Sequence, residues 1–179
     1  LPVSVLLVLV GCASPKLVDL NPSDTFVRQG RFAVLAQQQG KAVEAVQGGF
    51  VWREQGSKLQ LDLTSSLGST LARLEVQATG ATLIQADGRS LQAADADDLM
   101  QTAIGQPLPV LGLQAWLRGR VLQGLPNNAL RDDKGRLSAF TENGWRVEFT
   151  RYDTLGPSLL VLKRDQGGQM ITVRVIVDQ

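Results

Sequence analysis

The sequence predicts a mainly β domain: one large antiparallel sheet that curls to cover its apolar face, interrupted by two short helices. Three observations carry that expectation. Apolar residues recur at every second position through about nine or ten segments, the period of a half-buried strand. Polar, glycine-containing turns separate neighbouring segments at hairpin spacing. In the middle of the chain the period changes twice to that of a helix, then returns to two.

The elements follow in order. RFAVLA puts Phe32 and Val34 on one side, and GGFVWRE does the same with Phe50 and Trp52. KLQLDL alternates through Leu59, Leu61 and Leu63; TLARLEV sets Ala72, Leu74 and Val76 opposite Arg73 and Glu75. Gly56-Ser57 and Asp87-Gly88 supply turns. In ADADDLMQTAIG, Asp95 is placed to cap a helix, Asp97 and Asp98 suit the positive end of its dipole, and Gly105 can stop it. These carboxylates read as capping groups rather than a metal site. After Pro107 and Pro109, LQAWLRGR reads as a second helix with Leu113, Trp116 and Leu117 on one side and Gly119 as its stop. Strands then resume: RLSAF, GWRVEFTRY with Trp145, Val147 and Phe149 in phase, then SLLVLKR and QMITVRVIV joined at Gly167-Gly168. One sheet of that size curls, and its apolar face must be covered. Two short helices cover only part of it, so the interior is either an apolar cavity or a packed core; periodicity serves both equally.

Composition narrows the chemistry. With 18 basic and 17 acidic residues the formal net charge is +1, and no basic stripe of the kind a nucleic acid needs is present. The chain has no His, which removes His-based triads, His proton shuttles and His-ligated zinc. Nucleotide-binding and nucleophile-elbow motifs are also missing from the sequence. An enzyme working through a Ser–Lys pair or two carboxylates stays open, though no spacing in the chain asks for one; no metal or cofactor is expected.

The only cysteine stands directly behind an apolar run, in LVLVGCASPK. That run is too short to span a bilayer and has the length of a secretory h-region. Leu9-Val10-Gly11-Cys12 resembles the bacterial lipobox, with Gly11 as the small residue before the cut and Cys12 as the lipid-attachment site. Residues 1–11 are therefore expected to be a signal peptide, truncated at its start, and 12–24 a lipidated tether rich in Pro and Asp. A single folded domain is expected over 25–179. Each buried acyl methylene contributes about 0.8 kcal/mol, so several acyl chains hold such a protein on a membrane almost permanently. Ala13 follows the cysteine, where an Asp would mark inner-membrane retention in enterobacteria; the analogy favours the outer membrane, facing the periplasm.

The order of pieces resembles the LolB family. A lipobox precedes GRFAV, Gly48-x-Phe50-x-Trp52, LDLTSSLGSTLARLEV, DADDLMQTAIGQPLPV, LQAWLRGR and GWRVEFTRYD. The resemblance implies an incomplete, half-open antiparallel barrel covered by helices, with an apolar cavity for acyl chains. It implies a receptor that takes lipoprotein cargo from the periplasmic carrier LolA and places it in outer-membrane lipid, without catalysis and as a monomer. Phe32, Phe50, Trp52, Leu61, Leu63, Leu74, Trp116, Trp145 and Phe149 are then the candidates to line the cavity. Leu67, in SSLGS, has two readings: a leucine folded under its own hairpin, or, by the resemblance, an apolar tip that enters the membrane. Relatives often carry Pro just before it, where this chain has Ser66. Two rival functions remain on the residues alone: a soluble LolA-like carrier, which the lipobox disfavours, and a scaffold lipoprotein that binds only protein partners.

Overall fold

The computed structural model describes residues 25–124 and 126–178; the expected signal peptide, Cys12 and tether lie outside the described residues. In chain order the elements are β1 (Thr25–Gln38), β2 (Glu44–Gln55), β3 (Lys58–Ser65), β4 (Thr70–Gln77), β5 (Gly80–Gln85), β6 (Ser90–Ala93), α1 (Ala96–Ile104), α2 (Val110–Trp116), β7 (Asn127–Arg131), β8 (Leu137–Glu142), β9 (Trp145–Tyr152), β10 (Pro157–Gln166) and β11 (Gln169–Val177). All the strands of the described residues belong to one antiparallel sheet, in the order β6-β5-β4-β3-β2-β1-β11-β10-β9-β8-β7. Long β1 is the central strand, paired with β2 on one side and β11 on the other.

The two edges, β6 and β7, do not pair, so the barrel stays open. The chain passes from one edge to the other through α1 and α2, which sit against the apolar face. One core results, joining Leu83 of β5, Val34 of β1, Val173 of β11 and Phe140 of β8 with Met100, Leu113 and Trp116 of the helices. The expected fold class, a mainly β half-open antiparallel sheet with two short helices, is the observed one.

The local chemistry explains the helix bounds. Asp95 accepts a hydrogen bond from the Asp97 N–H at 2.8 Å, and Gly105 closes α1 at φ 72°, a left-handed turn that glycine adopts without strain. The second helix is shorter than the sequence suggests: it ends at Trp116, with Leu117 as its C-cap and Gly119 in the turn beyond. Gly48 is required by packing, because a Cβ there would lie 1.9 Å from the Thr64 carbonyl oxygen and press on the Phe32 ring.

The strand count differs from expectation, eleven against about nine or ten, for a physical reason. Every residue of β7 is exposed, and three of the four in β6 are, so neither edge strand carries an alternating pattern.

Candidate functional site: the apolar interior and the exposed hairpin

Beneath α2 lies a space lined only by apolar side chains. Phe32, Phe50, Trp52, Leu61 and Leu63 form its floor, with Val175 beside them; Leu108, Leu113 and Leu117 form its roof. Pairing puts them there, since Phe50 faces Leu63 and Trp52 faces Leu61 across β2 and β3. The roof residues come from the α1–α2 connection, α2 and its C-cap. The free volume is about 20 Å³, room for one water molecule at most. Ligand cavities run to roughly 300 Å³ or more. In this conformation the helical cover fills the interior.

Four of the expected lining residues lie elsewhere. Leu74 is on β4, one of the strands that α1 covers. Trp116 turns its ring edge to Phe140, which packs edge-on to Phe149, and Phe149 meets Tyr152 in the same way. This aromatic cluster is a packed part of the core. Trp145 borders a separate polar cleft of about 480 Å³, near Glu44, Asp97 and Arg164. Strand alternation puts Leu74, Trp145 and Phe149 on the buried face, and helical spacing does the same for Trp116; neither period carries information on where along that face the free space falls.

Buried carboxylates hold the cover down. Glu54 of β2 accepts from Trp52 Nε1 at 2.7 Å and from Gln114 Nε2 of α2 at 3.2 Å, and it pairs with Arg118 at 3.2 Å. The Arg118 guanidinium also stacks 3.7 Å from the Phe26 ring centroid. On the other side, Glu142 accepts from Trp116 Nε1 at 2.7 Å, from Leu122 N at 2.9 Å and from Gln123 N at 3.1 Å. Asp97 does more than serve its own helix: it accepts from Val110 N at 2.8 Å, the first residue of α2, whose N-cap Pro109 has no side-chain acceptor. Burial pushes the Asp97 carboxyl up from its ordinary value, against the pull of the Leu111 and Val110 N–H groups. None of these contacts between the cover and the carboxylates is a backbone pair of the sheet.

The β3–β4 hairpin carries the second feature. Leu67 is 93% exposed, so the reading of a leucine folded under its hairpin is excluded. The loop is braced instead by Ser65, whose Oγ accepts from Leu67 N at 3.3 Å and Ser69 N at 3.2 Å, while its backbone carbonyl accepts from Gly68 N at 2.9 Å. Gly68 takes φ 84°, and a register shift after Leu63 lets the loop leave the sheet. The residue before Leu67 need not be proline for the turn to form. Among the described residues, no helix is long and apolar enough to cross a membrane, and no group of three or more Cys, Asp or Glu could hold a metal.

The fold and site together define a half-open β-barrel with an apolar interior under a helical cover. The family described as outer membrane lipoprotein LolB matches residues 24–179. The chain is 47% identical to the outer-membrane lipoprotein LolB of Bordetella petrii, over 96% of this chain and 87% of that protein. It is 45% identical to that of Bordetella pertussis, with 97% and 88% covered, and 38% identical to that of Cupriavidus taiwanensis, with 96% and 91% covered. Among solved structures, a LolA superfamily protein of Nitrosomonas europaea is similar at a TM-score of 0.46 and 8% identity, covering 88% of each chain. The chain belongs to the LolB family.

Proposed function

We propose that this protein is an outer-membrane receptor that accepts lipoproteins from a LolA-type periplasmic carrier and inserts them into the membrane. The observation that carries the reading is the all-apolar space beneath α2, found in a chain of the LolB family. Acyl chains displaced from water gain free energy wherever apolar walls replace it, and no bond need form or break. The roof residues Leu108, Leu113 and Leu117 move outward as a chain enters, so that Phe32, Phe50, Trp52, Leu61 and Leu63 contact it. Cys12 carries the lipid anchor, residues 12–24 form the tether, and Leu67 enters the bilayer when cargo is released. Transfer runs down a gradient of acyl affinity, and the protein acts as a monomer without cofactor.

The test loads a fluorescent lipoprotein onto the carrier and follows its appearance in vesicles bearing the full chain. Transfer that requires this protein is expected; transfer at the same rate without it overturns the reading. The anchor is checked separately: mass spectrometry of the chain expressed with its natural start should show lipid on Cys12, and Cys12→Ala should release the protein from the membrane.

A further inference from the structure

The charge of this nearly neutral chain is unevenly spread. The cleft beside α1 is lined by Glu44, Asp97 and Asp98 against Arg164. A second hollow, of about 540 Å³, lies between the β7–β8 turn, the β9–β10 loop and the segment after α2. Arg118, Arg120, Arg131 and Arg136 line it, and Asp153 is its only acidic lining residue. Arg118 is balanced by Glu54 and Arg136 by Asp132. The Arg131 side chain donates to the Gly135 carbonyl, and the Arg120 side chain makes no hydrogen bond or ion pair among the described residues, its backbone N–H donating to the Ala115 carbonyl. At least two guanidinium charges therefore face the hollow without a carboxylate.

The hollow is also greasy. Tyr152 and Leu137 form part of its wall, and Leu155 stands 51% exposed at its rim. A site with forked cations and an apolar wall suits an amphipathic anion, and a guanidinium fork matches phosphate oxygens in particular. Its place in the fold narrows the occupant. Arg28, fully buried, donates to Asp153 Oδ1 and to the Pro157 carbonyl, both at 2.7 Å, and so ties the lining loop to the start of β1. The Phe26 ring lies 3.7 Å from the guanidinium of Arg118, so the described chain begins beside this hollow, although Thr25 itself lines another one.

We propose that the arginine-lined hollow binds the phosphate-bearing headgroup of an anionic phospholipid, seating the tethered end of the domain on the bilayer surface. Its nearness to the membrane rests on the anchor reading above; the binding itself does not. The acylated full chain in neutral detergent is titrated with dihexanoyl phosphatidylglycerol, dihexanoyl phosphatidylcholine and inorganic phosphate. Phosphatidylglycerol should bind about tenfold more tightly than phosphatidylcholine, and added salt should shrink that difference. The double variant Arg120→Gln, Arg131→Gln should lose the difference while keeping its melting temperature and its affinity for phosphatidylcholine.

Equal affinity for the two lipids, or a preference that survives in the double variant, overturns the proposal. Inorganic phosphate binding as tightly as phosphatidylglycerol reassigns the hollow to a free oxoanion and also overturns it. So does a double variant that fails only in accepting cargo from the carrier when the wild type shows no lipid preference, since the arginines would then serve an acidic protein surface. Failure of the acyl cavity would weaken both lipids alike, leaving the headgroup difference as a separate readout.

Discussion

The indole Nε1 of Trp116 donates to Oε2 of Glu142 at 2.7 Å, with both residues buried. The bond fixes the last turn of α2 to the end of β8, and the same carboxylate holds Leu122 N and Gln123 N in the segment that leaves the helix. Glu142 thus collects three donors from the cover on one side chain.

Glu142→Gln tests that grip. An amide oxygen accepts two hydrogen bonds at most, so one of three donors is orphaned and the new NH₂ group has no acceptor. A loss of about 1–3 kcal/mol in unfolding free energy is expected. If the cover must lift for entry, uptake of a fluorescent fatty acid should become faster as the protein becomes less stable. Lower stability with unchanged uptake would make Glu142 a purely structural residue.

Leu61→Glu places a carboxylate in the floor of the apolar space, directly across from Trp52. An unpaired buried charge costs several kcal/mol, so folding or acyl uptake should suffer. Circular dichroism melting alongside probe binding separates the two. A variant that melts normally and binds with wild-type affinity would take Leu61 out of the cavity.

Leu67→Glu should leave the melting temperature and cargo uptake unchanged, because the side chain is exposed and the turn is held by Ser65. Delivery into liposomes should slow, since an ionised side chain resists the apolar layer that a leucine enters with a gain of about 1.5–3 kcal/mol when fully buried. Normal delivery at normal stability would remove Leu67 from the mechanism.

Asp153 offers a pH test. Burial tends to raise its carboxyl, but the Arg28 hydrogen bond, the Leu155 and Gly156 N–H groups and the Arg28 charge outweigh this, and the net shift is downward from the ordinary 3.8. A lowered folded value means that the unfolded chain binds more protons in that window. The stabilisation is present above the ordinary carboxylate value and is lost as pH falls through the lower folded one. Asp153→Asn should lower stability at neutral pH, because it strips the charge partner from buried Arg28, and should flatten the loss of stability on acidification. Parallel curves of melting temperature against pH for wild type and variant would contradict this.

The sequence made the sheet legible wherever one face is dry. Strands β1 to β4 and β9 to β11 alternate because their inner positions are buried; β7, wet on every residue, left no such mark. Three buried polar contacts follow the same rhythm. Arg28 is in phase with Phe32 and Val34, Glu54 with Phe50 and Trp52, and Glu142 with Phe140. A charged residue at an inward position is the available signal for a buried polar contact, and all three make one. The sequence context of Asp97 points only to the dipole of α1, whereas its carboxylate also serves α2, because the approach of one helix start to another is a tertiary fact. The size of the apolar space was illegible for the same reason: it depends on how deeply Leu108, Leu113 and Leu117 settle, not on the identity of the floor.

Strand register sets Thr25 and Leu67 far apart along the sheet. Thr25 lies opposite Gln55, which pairs with Lys58, and Ser65 is seven residues further along β3, about 23 Å at strand rise, with Leu67 beyond it. Twelve residues separate Cys12 from Thr25, a leash of roughly 40 Å at full stretch. Under the proposed anchor at Cys12, that leash has to cover most of the length of the sheet for the lipid and Leu67 to meet one leaflet with the domain standing on its Leu67 end. Removing six of its residues would leave about 20 Å, so delivery into liposomes should fall while cargo uptake stays unchanged.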